Sequence, residues 1–246
     1  MKEIIKYLFV NMSAASDFKR NFLRLKWICL VLIMVTISIN INAQNFNYSF
    51  AKDSSSYSEL SGATVLTTGV NFSNKSFVVH FPFNFNFCGT NSDSLKIETN
   101  GFLVFDKTKQ LAIVAYNNYS SKKDTLGNYT SSISYNTSGA TGNRIIKIEF
   151  KNLAQNTLSS SDFLSYQVWL YESGNKVEIH TGANASNGTP VLIGIINKNM
   201  DTSDKAYLIK GDTSSPSGEI ISGEASLDYL NQMPNSGIVY TLSPAF

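Results

Sequence analysis

Few residues in this 246-residue chain could carry out chemistry. The histidines are His80 and His180, and the cysteines are Cys29 and Cys88. Nucleophilic hydrolysis needs a serine or cysteine beside a histidine that a carboxylate orients, and no Gly-x-Ser-x-Gly elbow is present. His80 and His180, the latter next to Lys176 and Glu178, fall on the polar sides of alternating stretches and read as exposed strand histidines. Two separated histidines are too few for a zinc ligand set. Asn197, Asn199, Asp201 and Asp204 could offer oxygens to calcium, but no bidentate glutamate follows at the required distance. They read as polar turn residues. No catalytic residue, metal site or cofactor is therefore expected. The alternative is a glycan-degrading enzyme, which needs two carboxylates facing each other across a sugar. Glu172 and Glu178, on either side of a turn, are the pair to test. For ligand contact, the expected residues are Tyr116, Asn118 and Tyr119, with Tyr129 further on, because tyrosine rings stack on sugars or proteins and asparagine amides bond hydroxyls.

Residues 1–43 have a character of their own. Lys19, Arg20, Arg24 and Lys26 precede the apolar run from Trp27 to Ile39. About 13–15 apolar residues are too few to span a bilayer and fit a secretory signal. The small residue Ala43 places cleavage before Gln44. Six of the 20 basic and two of the 18 acidic residues lie in this leader, so residues 44–246 keep 14 against 16, a charge near −2. No basic stripe remains there for nucleic acid, and no membrane span is expected in the mature chain. Arg144 is its only arginine, and Cys88 its only cysteine, expected to be buried after Phe87. With 43% apolar and only 15% charged residues, the chain is not a disordered one.

The elements that must position any site read as strands. In Phe77–Phe87 the apolar residues take every odd position, with His80, Pro82, Asn84 and Asn86 between them. This is the period of a half-buried strand. Pro82 cannot donate to a ladder, so the strand is expected at an edge or bent there. Leu95–Thr99 and Phe102–Asp106 flank Asn100-Gly101, predicting a hairpin with a tight primed turn. Two more hairpins are predicted, 131–135 with 144–151 and 163–171 with 177–181. In Phe163–Tyr171, Tyr166, Val168 and Leu170 share one face and Trp169 and Tyr171 the other, so that strand is expected to be covered on both sides. Further strands are expected at 46–50, 63–68, 111–116, 191–197, 206–210 and 238–242, a helical turn at 226–232, and a long surface loop over 211–237. The sum is one all-β domain, 44–246, an antiparallel two-sheet β-sandwich of jelly-roll-like kind.

Five segments in this order carry a resemblance: Phe81–Gly89, Ile97–Phe105, Arg144–Asn152, Tyr166–Glu172 with Val177–Gly182, and Gly237–Pro244. The chain resembles the secreted β-sandwich domain at the front of many Bacteroidota surface proteins and is loosely similar to nidogen-like extracellular domains. The resemblance implies a secreted β-sandwich domain and is almost silent on activity. It also brings to mind fibronectin-like modules and a type IX secretion sorting domain, both of which this chain is expected to lack, since Phe246 follows directly on the last strand. The expected location is periplasm, cell surface or extracellular space. The expected function is that of a non-catalytic interaction domain, with glycans or surface proteins as partners. The remaining alternative is a structural subunit that pairs through the strand edge holding Pro82.

Overall fold

In the computed structural model, residues 46–106, 110–116, 119–155, 161–185, 190–198, 204–223 and 229–245 are described. All belong to the unit Gln44–Phe246, and the expected leader lies outside them. They contain no helix. The strands are β1 (Tyr48–Ser54), β2 (Thr64–Thr68), β3 (Ser76–Phe87), β4 (Thr90–Glu98), β5 (Phe102–Asp106), β6 (Leu111–Ala115), β7 (Ser120–Ser121), β8 (Ser132–Ser138), β9 (Ile145–Ala154), β10 (Phe163–Tyr171), β11 (Val177–Ala185), β12 (Ile193–Asn197), β13 (Lys205–Lys210), β14 (Ser217–Ser222) and β15 (Ile238–Pro244). They form two antiparallel sheets. One runs β1-β15-β11-β10-β9-β8-β2, with β7 on β9, and the other runs β14-β13-β12-β6-β5-β4-β3.

The alternation of β3 produces the core. Phe81, Phe83, Phe85 and Phe87 are all buried, while His80, Pro82 and Asn84 are exposed. Phe85 and Phe87 meet Phe105 of β5 at centroid distances of 5.6 and 4.3 Å. From the facing sheet, Phe150 stacks on Tyr166 at 4.7 Å, and the edge of Tyr166 meets Tyr116 at 4.9 Å. Each such side chain taken from water contributes about 1.5–3 kcal/mol. Cys88 is buried as expected, a free thiol whose pKa burial pushes up to about 12. The centre of the second sheet is buried on its outer face as well. Val114, Ile196, Ala206, Leu208 and Ile221 form a second apolar cluster there, which explains why β6 and β12 read as unbroken apolar runs.

Pro82 lies in an edge strand, and the β3–β4 register breaks between His80 and Phe85. The edge is therefore blunted where strand addition would begin. The β4–β5 turn differs from expectation. Its loop has three residues, Thr99 to Gly101, and among them only Gly101 has positive φ. The Gly101 N–H donates to the Glu98 carbonyl at 3.1 Å. A Cβ at Gly101 would stand 2.5 Å from the Ala115 carbonyl oxygen, so glycine is needed for close approach as well as for φ. The expected loop over 211–237 contains β14. The expected turn at 226–232 lies partly outside the described residues, and its Leu230 bridges Val191 and Gly211 without helix.

The sheet order imposes a demand on the first connection. β1 and β2 lie at opposite edges of one sheet, six strand spacings apart, or about 29 Å at ~4.8 Å each. Ser55–Ala63 must bridge them. Its ten Cα steps reach about 33–36 Å when extended, so little slack remains after the climb onto the face. Deleting Ser55 and Ser56 is expected to break this crossing and lower the urea midpoint sharply. Inserting two glycines there is expected to cost below about 1 kcal/mol, because loop closure depends weakly on length. Equal tolerance of both changes would refute a taut crossing.

Candidate functional site

The outer face of the eight-stranded sheet is organised in rows by register. One row passes through Asp53, Val239, His180, Gln167, Glu149, Ser134 and Val65. The Ser55–Ala63 strap follows that row from one edge to the other. The Ser55 N–H donates to the Gly237 carbonyl at 2.8 Å. Tyr57 lies against Gly182, where a Cβ would stand 2.7 Å from its ring. Gln167 Nε2 donates to the Ser58 carbonyl at 2.8 Å, and Asn136 Nδ2 donates to that of Ser61 at 3.4 Å.

At the centre sits Glu149, 3% exposed. It accepts from the Tyr57 hydroxyl (2.8 Å), Gln167 Nε2 (2.8 Å) and the Leu60 N–H (3.3 Å). Among the described residues no cation pairs with it. Neutral donors alone satisfy this carboxylate, as burial requires. Burial, with Glu149 beside it, raises the Tyr57 phenol far above its ordinary range, which keeps the hydroxyl a donor.

The neighbouring row, Lys147–Trp169–Glu178, is left outside the strap. Trp169 Nε1 donates to Gln167 Oε1 at 2.8 Å, so the covered row fixes the indole plane. His180 stacks on the indole at 4.0 Å and 25°, and Lys147 Nζ stands 3.7 Å from its centroid. Tyr171 lies 6.4 Å away. Glu178 accepts from the Tyr171 hydroxyl (2.6 Å), Lys176 Nζ (2.7 Å) and His180 Nε2 (2.9 Å). The result is a half-buried aromatic pair, Trp169 and Tyr171, framed by Lys147 and Lys176 and pre-set by hydrogen bonds.

The residues singled out from sequence are scattered. Tyr116 is fully buried, with its hydroxyl 2.5 Å from Thr181 Oγ1 and its pKa raised by burial. Tyr119 is 2% exposed. Both rings belong to the core and offer no face to a ligand. Asn118 lies outside the described residues. Tyr129 is half-buried at the surface, with Lys123 Nζ 4.9 Å from its centroid. His180, expected to be exposed, is 8% exposed because the indole covers it, whereas His80 is exposed. Asn197 Nδ2 donates to Asp204 Oδ2 at 3.0 Å, and Asn199 and Asp201 lie outside the described residues.

Glu172 and Glu178 are each engaged by partners of their own. Glu172 takes Arg144 Nε at 2.8 Å and a second guanidinium nitrogen at 2.5 Å, and also accepts the Gly142 and Arg144 N–H groups. The Arg144 hydrogen bonds hold its pKa at about 2. Burial would raise Glu178, but bonds from His180, Lys176 and Tyr171 outweigh it and hold that carboxyl at about 2 as well. A general acid needs a raised pKa; both groups are ionised acceptors at neutral pH. The residues that sequence reasoning missed are Trp169 as a surface group, with Tyr57, Glu149 and Gln167 behind it. Gln167 between Tyr166 and Val168, and Gly182 inside a strand, were the available signals.

The two antiparallel sheets, with an aromatic, ion-paired outer face, define an all-β domain of the β-sandwich class. The family model described as NIDO related matches residues 47–244, and the chain belongs to that family. NIDO-related domains are of the extracellular type and are generally non-enzymatic. No curated protein and no solved structure matches the chain.

Two outcomes follow from these networks. Glu149→Gln is expected to turn amide protons toward the Leu60 N–H and the Gln167 amide and cost on the order of 3 kcal/mol; an unchanged urea midpoint would contradict the latch. Glu178 falls from an ordinary 4.5 to about 2 on folding. The unfolded chain therefore takes up its proton first, and the associated stability is complete above about pH 5 and lost as pH falls toward 2. Glu178→Gln is expected to flatten that part of the stability–pH curve, measured by denaturation at pH 2–7.

Proposed function

We propose that the chain is an exported, non-catalytic interaction domain that reads a glycan across the outer face of its eight-stranded sheet. Residues 1–43 serve as the export signal, cleaved after Ala43, and deliver the domain to the envelope or beyond. The carrying observation is Trp169. A strand facing water has no folding need for an indole there, yet this ring is hydrogen-bonded, stacked and left half open beside Tyr171. Fixed aromatic planes take the apolar face of a sugar, and polar groups at the ring edges read its hydroxyls. Lys147 Nζ lies over the Trp169 ring and Lys176 Nζ over the Tyr171 ring, so both ammonium groups swing aside for a sugar to stack and then meet its hydroxyls together with Glu178. The ionised state of Glu172 and Glu178 supports binding over hydrolysis.

The test is a glycan array with the purified protein, followed by calorimetry on any hit. Trp169→Ala is expected to weaken binding at least tenfold and Tyr171→Ala severalfold, with thermal midpoints near that of the parent. Silence on the array combined with crosslinks to envelope proteins would replace the glycan by a protein partner. Release of reducing ends from a bound glycan would overturn the non-catalytic reading.

A further inference from the structure

The seven-stranded sheet has a pocket of its own. It opens beside the β4–β5 turn, has a volume of about 220 Å³, and is lined by Asn74, Lys75, Ser76, Glu98, Asn100 and Lys198. Its walls are fixed by backbone. The Lys75 N–H closes a turn on the Phe72 carbonyl at 3.1 Å, and the Thr99 N–H donates to the Lys75 carbonyl at 3.1 Å. The Thr99 hydroxyl donates to that carbonyl too, also at 3.1 Å. The Lys198 N–H is anchored on the Gln110 carbonyl at 2.9 Å. The Asn74–Ser76 segment, the Asn100 turn and Lys198 are thereby brought to one opening.

Charge in the pocket is unbalanced. Glu98, 8% exposed, is shared by two ammonium groups, Lys96 at 2.6 Å and Lys198. Burial works against its ionisation, but the bonds from Lys198 and Lys96 prevail and lower its pKa. Lys75 stands exposed at the rim, and its side chain has no partner among the described residues. Of the groups lining the pocket, two cations, Lys75 and Lys198, thus face one anion, Glu98, an excess of one positive charge in a domain whose own charge is near −2, and Lys96 pairs with Glu98 from outside the lining. Lys198 Nζ also lies 5.5 Å from the Phe102 ring centroid, which holds it at the pocket wall.

The missing counter-charge is an anion, and the lining says which kind. No guanidinium fork is available, since Arg144 is the only arginine of residues 44–246 and is committed to Glu172, so the anion is met by lysine point charges and the neighbouring amides select it. Lysine point charges suffice for a carboxylate. Two amides and a hydroxyl, from Asn74, Asn100 and Ser76, offer donors and acceptors for hydroxyl groups. The volume lies below the roughly 300–1,000 Å³ that encloses a drug-sized ligand, so the space suits one small ring. A free acidic side chain would leave the amides unmatched. We infer that this pocket binds a uronic acid unit of an acidic polysaccharide, with its carboxylate at Lys198 and Lys75 and its hydroxyls against Asn74, Ser76 and Asn100. The site is on the opposite sheet from Trp169 and stands or falls separately from that surface.

The test is an amide-resolved NMR titration of the purified protein with sodium D-glucuronate and sodium D-galacturonate. D-glucose, N-acetylglutamate and sulfate are the comparisons. A uronate is expected to bind at least tenfold more tightly than glucose, to shift amides around Lys75, Asn100 and Lys198, and to weaken as salt is raised. Lys198→Met is expected to lower that affinity about tenfold, and Lys75→Met severalfold. Lys210→Met, which removes an ammonium paired with Glu219 elsewhere, is expected to leave it unchanged. Should Lys198→Met fail to fold, the Lys75→Met result decides, because that side chain is exposed and unpaired. Glucose binding as well as uronate, N-acetylglutamate or sulfate binding as tightly, or a full-affinity response in both lysine variants that fold would each overturn the inference.

Discussion

A carboxylate held without a counter-ion, Glu149, is what the arrangement of the larger sheet hangs on. The first and last strands, β1 and β15, pair with each other, so β1 occupies one edge, while β2 occupies the other. The chain between them has to lie across the sheet, and an irregular segment on a sheet face buries backbone groups that no ladder can satisfy. Glu149 and Gln167 meet that need. Between them they take the Leu60 N–H and supply the Ser58 carbonyl, and Glu149 pins the Tyr57 hydroxyl. A lysine in place of Tyr57 would form an ion pair, but its desolvation would offset much of the gain. Neutral donors around a single charge avoid that second cost.

The strap divides the outer face. The middle of the row it covers, His180, Gln167, Glu149 and Ser134, is polar and buried, while Asp53 and Val65 at the two edges stay exposed. The next row, two residues along each strand, remains open. Pleating alone would leave an ordinary solvated surface there. The indole of Trp169 makes the difference because it is tied backward into the covered row through Gln167. The strap, the buried glutamate and the aromatic surface therefore form one connected structure, in which the covered part supplies rigidity to the open part. A binding surface that is already ordered loses less side-chain entropy when a ligand arrives.

The parts of this that were legible in the sequence share one property, a strict period of two. The phenylalanines of β3 and the two faces of β10 could be read from alternation alone, and both alternations hold in the structure. Covering of the second face of β10 falls at Ser165 and Gln167, whereas Trp169 and Tyr171, from which it was expected, are half-buried outside the strap. The strap was not legible. Ser54-Ser55-Ser56-Tyr57 has no periodicity, and its position follows from sheet order, which is a non-local property. Tyr116 and Tyr119 misled for a different reason. Tyrosine is amphipathic, and a tyrosine at the end of a strand points in or out according to backbone geometry that composition does not encode. Here Tyr116 adopts a φ of 54°, and its hydroxyl finds Thr181 inside. The Asn100-Gly101 pair announced a turn correctly, but the loop length depended on the approach of β6 to Gly101.

The charged groups of the domain share a common theme in how their protons are held. Glu172 and Glu178 are kept ionised by dedicated partners, Glu98 by two lysines, and Glu149 serves as a structural acceptor. The Cys88 thiol is pushed up to about 12 and stays protonated. Catalysis by proton transfer or by a nucleophile asks for the reverse, groups poised near the working pH. Glu98, Glu172 and Glu178 are each held below their ordinary values by the partners that bond them. Such holding keeps the charge pattern of these clusters constant across neutral pH. The difference between the two faces then lies in what their fixed charges leave unmet: an aromatic plane on one sheet and an excess of ammonium on the other.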